Sequence, residues 1–471
     1  MTIGALSREF GPARPSRLSR LRLSLATVGL SVLGALPLSA QSLSDTLIMA
    51  YRTSNLLEQN RAVLRAADED VGIAIAALRP VMAYALNSSI TPDNWAFDDT
   101  NYAQISASIT LYESGRNKLA AEAAKELVLA TRQSLVGVEQ QVLLAAVRAF
   151  MNVRSQLEYV RLRQRNVQVI EQQLRAAQDR FEVGEVTRTD VSLAEARLAA
   201  ARSALVAAEG DLAVAREAYK AATGAYPTAL SAPPTAPATA STVDEARNYG
   251  TQNHPSIKQI QHEVRAAELN VRRAIAANNG KLTASAYLRH TQDVGDTSNI
   301  TLNFSQTISS GGGLMAAARK AQALAERSRA GLLQQGVVVS QEVSNAWSQL
   351  EVARARIAAS DLQIAAAKLA FDGISEEAKL GARTTLDVLD AEQEVLNAEV
   401  DKISAVNQRY VAVYTLLSAM GLLTVDHLKL GIATYDPEAY YNAAKLAPEL
   451  MSAQGRKLNK VFDKIGGPKA N

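Results

Sequence analysis

Two long stretches of the chain set apolar residues at steps of three and four. In the first, Leu135, Val138, Val142, Ala146, Phe150, Val153, Leu157 and Val160 form an unbroken seam, the spacing of helices that pack side by side. No proline and a single glycine, Gly137, fall between Asn117 and Phe181. The pattern therefore predicts one helix of about 65 residues, about 100 Å long. A second such helix is predicted from about Leu314 to Leu380. Shorter helical patterns cover residues 43–81 (stopped by Pro80), 187–222, 243–277 (interrupted at His254-Pro255) and the stretch that ends near Ala419.

Elsewhere the period drops to two, which marks strands with one apolar and one polar face. Met82, Tyr84 and Leu86 alternate with small or polar residues. Ala103, Ile105, Ala107, Ile109 and Leu111 oppose Tyr102, Gln104, Ser106, Ser108 and Thr110. Residues 88–101, with Trp95 and Phe97, read as the turn between those two strands, and Gly115 closes the hairpin. In the second half, Leu282, Ala284, Ala286 and Leu288 alternate with Thr283, Ser285, Tyr287 and Arg289, and Ile300, Leu302, Phe304 and Ile308 mark the last strand.

The order of elements repeats. Each long helix runs into a glycine turn, first Arg180-Phe-Glu-Val183-Gly184 through Thr189-Asp190-Val191, then Lys379-Leu380-Gly381 through Thr384-Thr385-Leu386-Asp387. The two glycines stand 197 positions apart (381 − 184), as do Asp190 and Asp387, Gly115 and Gly312, and Val142 and Val339. A constant offset with no insertion means a duplicated unit whose helix length is itself constrained. The chain divides into a first repeat over 41–226, a Pro/Ala/Thr-rich linker over 227–242, a second repeat over 243–423 and a C-terminal segment over 424–471, expected to be periplasmic.

Each repeat then supplies two parallel helical columns, since the short and medium helices stacked end to end match the long one in length. Strands of about nine residues suit a membrane β-barrel. Four strands cannot close a barrel, and an open strand edge is forbidden in lipid. Three copies give twelve strands, an even number that closes, above twelve helical columns.

Composition narrows the class. Arg14, Arg17, Arg20 and Arg22 precede an uncharged run from Leu23 to Leu38 and then Ser39-Ala40-Gln41, the layout of a secretory signal over residues 1–40 cut after Ala40. No other stretch approaches a transmembrane helix on this reading, so membrane insertion falls to the strands. The formal net charge of +3 comes without a basic cluster interleaved with aromatics, which excludes a nucleic-acid partner. With no cysteine, disulfides, Cys-based metal sites and a lipid-bearing N-terminal Cys are excluded. His254, His262, His290 and His427 are scattered, and no nucleophile, base and orienting residue come together. The Ser309-Ser-Gly-Gly-Gly313 run lacks the Gly-Lys-Ser/Thr ending of a phosphate loop and reads as a strand-to-helix junction. No enzyme, no cofactor and no metal are expected.

The turns admit two readings. Gly184 and Gly381 can end a helix in the left-handed conformation. Thr187 and Thr384, with Asp190 and Asp387 three residues on, can cap the next one. Beyond capping, Asp387 and Asp390 share a helix face.

The chain resembles the TolC family of outer-membrane export ducts. The resemblance runs from about Leu43 to Leu423 and rests on Gly381-Ala-Arg383-Thr-Thr-Leu-Asp387-Val-Leu-Asp390-Ala391, on its first-half twin at Gly184, and on the junctions Glu113-Ser-Gly115-Arg116 and Ser310-Gly-Gly312-Gly313. It implies a mostly α protein with a membrane part: a homotrimer whose twelve-stranded β-barrel continues into a periplasmic α-helical barrel. It also implies a passive exit channel, fed by an ABC or proton-driven inner-membrane transporter through a periplasmic adaptor protein, that carries secreted polypeptide or small toxic molecules. The segment from Tyr435 to Tyr441 resembles members tied to type I secretion. On the same resemblance, Val183, Gly184, Leu380 and Gly381 would dock the adaptor. Thr189, Asp190, Arg383, Asp387 and Asp390 would form the periplasmic gate, with Arg383 bonded across to Thr189 and Asp190. The chain departs from the family pattern at Thr110 and Thr307, where a proline is common, and at Ala378, where an aromatic often stands. The alternative is an exported, soluble coiled-coil adaptor or scaffold.

Overall fold

The computed structural model describes residues 40–93, 96–446, 448 and 452–464. The expected signal, Ala40 excepted, and Trp95 lie outside the described residues. The first repeat contains α1 (Leu43–Thr53), α2 (Asn55–Ala76), β1 (Val81–Asp93), β2 (Ala96–Tyr112), α3 (Arg116–Glu182) and α4 (Arg188–Thr223). The second contains α5 (Val243–Asn253), α6 (Pro255–Ala276), β3 (Lys281–Thr291), β4 (Gly295–Ser305), α7 (Gly313–Lys379) and α8 (Thr385–Ala419). The duplication extends to length. Both halves have helices of 11, 22 and 67 residues, and the last helices have 36 and 35.

Three expectations change. The single helix over 43–81 is broken at Ser54, whose extended backbone ends α1 while its hydroxyl accepts from Leu57 N–H to start α2. The matching break in the second half is made by His254, whose ring accepts from Ser256 N–H ahead of Pro255. The strands are also longer than expected, because β1 and β2 stay paired from Val81↔Ser108 out to Asp93↔Ala96. Residues 88–93 and 96–101 continue the ladder instead of turning, since backbone bonds hold a hairpin without apolar side chains. The linker, in turn, is anchored. Gln41 N–H donates to Ala229 carbonyl at 2.7 Å, Ser231 N–H donates to Gln41 carbonyl at 3.0 Å, and Arg154 Nη1 donates to Ser231 carbonyl at 2.7 Å. In addition, α3 contains an 18-residue window apolar enough in composition to cross a membrane, nearly half of it buried inside the chain.

The helices stand as adjacent columns. One side of α3 packs on α2 and α4, the other on α6 and α8, and α7 packs beyond against α5, α6 and α8. The main core lies where all columns meet, around Leu43, Leu47, Phe150, Tyr219, Val343, Leu350 and Leu417. Within it the Tyr219 hydroxyl is 2.9 Å from the Thr46 hydroxyl, which fastens α1 to α4. The four strands form one antiparallel sheet in the order β1-β2-β3-β4. The ladder from Ser108↔Ser285 to Tyr102↔Thr291 joins the two repeats. On one face of the sheet Met82, Leu86, Ile300, Leu302 and Phe304 are all more than 60% exposed.

The C-terminal segment wraps back onto the first repeat. Val425 N–H donates to Glu139 at 2.7 Å, and the Tyr440 hydroxyl donates to Glu69 at 2.7 Å. Helix α9 (Pro437–Ala444) lies on α2, with α10 (Ala453–Lys464) beyond it. Arg61 stacks on Tyr51 and Tyr435, and Arg132 on Tyr441. Beneath them Asp68 is fully buried between Leu64 and Val71 on the packed face of α2, with neither carboxylate oxygen hydrogen-bonded. Burial pushes its carboxyl up from 3.8 to about 7, against the opposing pull of Arg132. Between those values the folded chain holds a proton that the unfolded chain releases, so stability falls as pH rises through the window. Asp68→Asn removes this slope. Thermal unfolding followed from about pH 5 to about pH 8 shows a falling midpoint in the parent and a flatter one in the variant. Parallel profiles would contradict the assignment.

Candidate functional site

At the end of the columns farthest from the sheet, both repeats make the same turn. Gly184 sits at φ +79° and Gly381 at φ +77°, a conformation that glycine adopts without a Cβ penalty. Past each glycine a backbone bond returns into the helix just ended, Glu185 N–H to Arg180 carbonyl and Ala382 N–H to Glu377 carbonyl, each 2.9 Å. The following helix is then capped reciprocally. Asp190 accepts from Thr187 N–H and hydroxyl, both at 2.8 Å, and returns its own N–H to the hydroxyl. Asp387 and Thr384 repeat this at 2.9 Å. The cap bonds from Thr187 and Thr384 hold both carboxyls below the usual carboxylate range. Val183 and Leu380 project beside the glycines, 71% and 86% exposed, so each tip offers an apolar knob to whatever meets it.

A hollow of about 610 Å³ lies between the turns, lined by Arg180, Thr187 and Asp190 from one repeat and by Leu380, Arg383 and Asp387 from the other. Of the expected gate residues, Asp190, Arg383 and Asp387 border this space while Thr189 and Asp390 do not line it, and their bonds differ from expectation. Arg383 does not bond Thr189 or Asp190 in this chain. Its Nε donates to Glu377 at 2.8 Å, within its own turn, and Asp190 is already engaged by Thr187. Thr189 is exposed. Asp387 and Asp390 do not act as a pair either, because Asp387 serves the cap while Asp390 accepts from Arg197 Nη2 at 2.8 Å.

That last bond joins α4 to α8, and it crosses between repeats. Directly below it Leu389, only 3% exposed, packs into a small apolar cluster with Ile170, Ala194, Leu198 and Ala201. Farther down, Glu399 of α8 meets Lys368 at 2.6 Å and Arg165 at 3.9 Å. Leu389 and Arg197–Asp390 are therefore among the contacts that hold the second repeat against the first near the tip. Sequence reasoning missed Arg197 and Leu389, because partners 193 residues apart leave no local spacing to read. Among the described residues no group of three or more His, Asp or Glu is arranged to hold a metal ion.

Residues 49–225 and 250–422 each match the outer membrane efflux protein family. The chain belongs to that family. The two matches fall on the two repeats. Over 419 residues the chain is 36% identical to outer membrane efflux protein BepC of Brucella suis biovar 1 (strain 1330), covering 86% of this chain and 91% of that protein. Its fold is similar to the CmeC outer membrane channel of Campylobacter jejuni, with TM-score 0.72, 15% identity, and coverage of 92% of this chain and 98% of that one. It is also similar to the outer membrane protein VceC of Vibrio cholerae, with TM-score 0.71, 19% identity, and coverage of 80% and 96%. The resemblance to TolC-type ducts therefore holds. The chain is an outer-membrane channel protein with a large periplasmic helical part, and the family is one of passive channels, not enzymes.

The cross-repeat contacts make a graded prediction. Arg197 and Asp390 are both about half exposed, and such a pair contributes about 0–1 kcal/mol. Truncating a buried leucine costs about 2–5 kcal/mol. Leu389→Ala should accelerate amide hydrogen exchange in the first turns of α4 and α8 well beyond Arg197→Ala. Equal acceleration by the two variants would mean that charge, not packing, holds the tip.

Proposed function

We propose that this protein is the exit duct of a tripartite exporter, working as a homotrimer that receives cargo from an inner-membrane transporter through a periplasmic adaptor. The observation that carries the reading is that the sheet and the helical columns are both left open at their two lateral edges. The sheet ends in unpaired edges at β1 and β4, and the columns end at α2/α4 on one side and α7 on the other. Along α7, Leu333, Val337, Leu362 and Leu369 stand 62–76% exposed, and on α4 Val206 and Val214 stand 67% and 69% exposed. Head-to-tail contact between such edges repeats around an axis until it closes, and three copies supply twelve strands. The soluble scaffold reading leaves the apolar sheet face without a purpose.

For cargo, the likeness to BepC, named as an efflux protein, favours small toxic molecules. The resemblance of Tyr435 to Tyr441 to secretion-linked members favours polypeptide as a second reading. Val183, Gly184, Leu380 and Gly381 are proposed as the adaptor's docking points, supported by their exposure. Three copies of the tip would set Asp387 and Asp390 in rings around a narrow entrance, where carboxylates draw in cations. A latch from Arg383 to Thr189 and Asp190 requires Arg383 to leave Glu377, so it is proposed for the assembled, closed tip.

Purified from outer membranes, the protein should run as a heat-modifiable trimer and conduct ions in planar bilayers. A soluble monomer would end the proposal. Deleting the gene should raise susceptibility to small toxic compounds if efflux is the role, or strip a polypeptide from the medium if secretion is. Cation preference and multivalent-cation block should both weaken in an Asp387→Asn, Asp390→Asn channel, and their full retention would argue against the acidic rings. Arg383→Ala or Asp190→Ala should raise single-channel conductance, and an unchanged conductance removes the latch.

A further inference from the structure

The sheet carries one charge that the duct reading leaves unused. Register assigns Tyr102, Gln104, Ser106, Tyr287, Arg289 and Thr297 to a single face, opposite the exposed apolar face of Met82, Leu86 and Ile300. In a membrane barrel the apolar face meets lipid and the polar face lines the lumen. Arg289 is therefore a lumen residue. It is also held in place: Nε and Nη2 both donate to Gln104 Oε1, at 2.9 and 2.7 Å. Its guanidinium lies 4.4 Å from the Tyr102 ring centre and 5.2 Å from that of Tyr287. A guanidinium fixed by a fork and two rings loses little freedom when it binds a further partner.

Among the described residues Arg289 forms no ion pair with an acidic side chain, whereas His290 beside it, on the lipid face, meets Asp296 at 2.7 Å. Among the strand residues whose side chains are described, the other charged residue that register puts on the lumen face is Lys281, at the periplasmic foot. Arg289 sits two residues before the end of β3, toward the outer mouth.

We propose that Arg289, repeated threefold, forms a cationic girdle in the barrel lumen that binds anionic solutes, carboxylates, sulfonates or phosphates, and sets the charge preference of the outer mouth. This rests on the trimeric duct reading. Fixed positive charge in a confined, low-dielectric passage concentrates anions. Such a girdle acts in the opposite sense to acidic residues at the periplasmic tip, so the two ends of one channel would select separately. Neutral Gln104 suits the arrangement, since a carboxylate at that position would cancel the charge it orients.

The test is planar-bilayer recording of the intact trimer, with inositol hexakisphosphate added on the barrel side as the polyanion probe. The parent channel should show voltage-dependent block from that side. Arg289→Gln should abolish the block and lower the chloride-to-potassium permeability ratio about twofold or more, while Arg289→Lys, which keeps the charge, retains both. Thr297→Asp, which places a carboxylate opposite Arg289 in the register, should mimic Arg289→Gln without touching the Gln104 fork and covers the case in which Arg289→Gln fails to assemble. Heat-modifiable trimers of either neutralised variant with parental block and permeability would overturn the girdle. A parent protein that forms no channel overturns the duct reading instead, so the two failures are distinguishable.

Discussion

A strand that enters lipid must satisfy every backbone N–H and C=O from within the protein, because the hydrocarbon core offers no water to accept or donate. The sheet of this chain meets that demand along three ladders and fails it along β1 and β4. Everything below the sheet is arranged compatibly with that failure. The columns follow the same lateral order as the strands, first repeat on one side and second on the other, so a neighbour relation that paired β4 with β1 in the proposed trimer would also bring α7 towards α2 and α4. A chain built otherwise, with strand order and column order opposed, could not close both layers by one rotation. The constraint on the sheet therefore propagates the full length of the helices.

Equal helix lengths follow from the same constraint. If the two halves are to share one ring at the tip, their columns must end at the same level. An α3 and an α7 of 67 residues each meet that condition, and a single inserted residue in one of them would rotate every later side chain by about 100°. The breaks at Ser54 and His254 fall at matching points for this reason.

Much of this was legible in the sequence. The seam from Leu135 to Val160 has a period that only a helix satisfies, and the offset shared by Gly184 and Gly381 survives because glycine is needed for positive φ. The strand lengths were not legible, since polar residues such as Ser88, Ser89 and Thr100 carry a ladder through backbone bonds that leave no side-chain signature. The break at Ser54 was hidden because serine caps and helix-interior serines look alike until the φ/ψ change is seen. At the tip, local chemistry was readable and long-range chemistry was not. Thr187–Asp190 and Thr384–Asp387 sit at capping-box spacing, whereas Arg197–Asp390 joins elements that nothing in the linear pattern connects.

The two tips share their caps and differ in everything that crosses between repeats. Asp190 and Asp387 are each consumed by their own threonine, so the aspartate common to both copies stabilises a turn and is a poor means of coupling one copy to the other. What the second copy adds is Leu389 in the apolar cluster of the first, Asp390 on Arg197, and Arg383 on Glu377. Two of those three point across the repeat boundary and the third is exposed beside the hollow. A movement that separates the repeats at the tip would extract Leu389 from the cluster and break the exposed Arg197–Asp390 pair, while both capping boxes travel intact with their helices. If the tip opens as proposed, a capped helix would be displaced as a unit, and the capping common to both repeats would keep such a movement from unravelling either one.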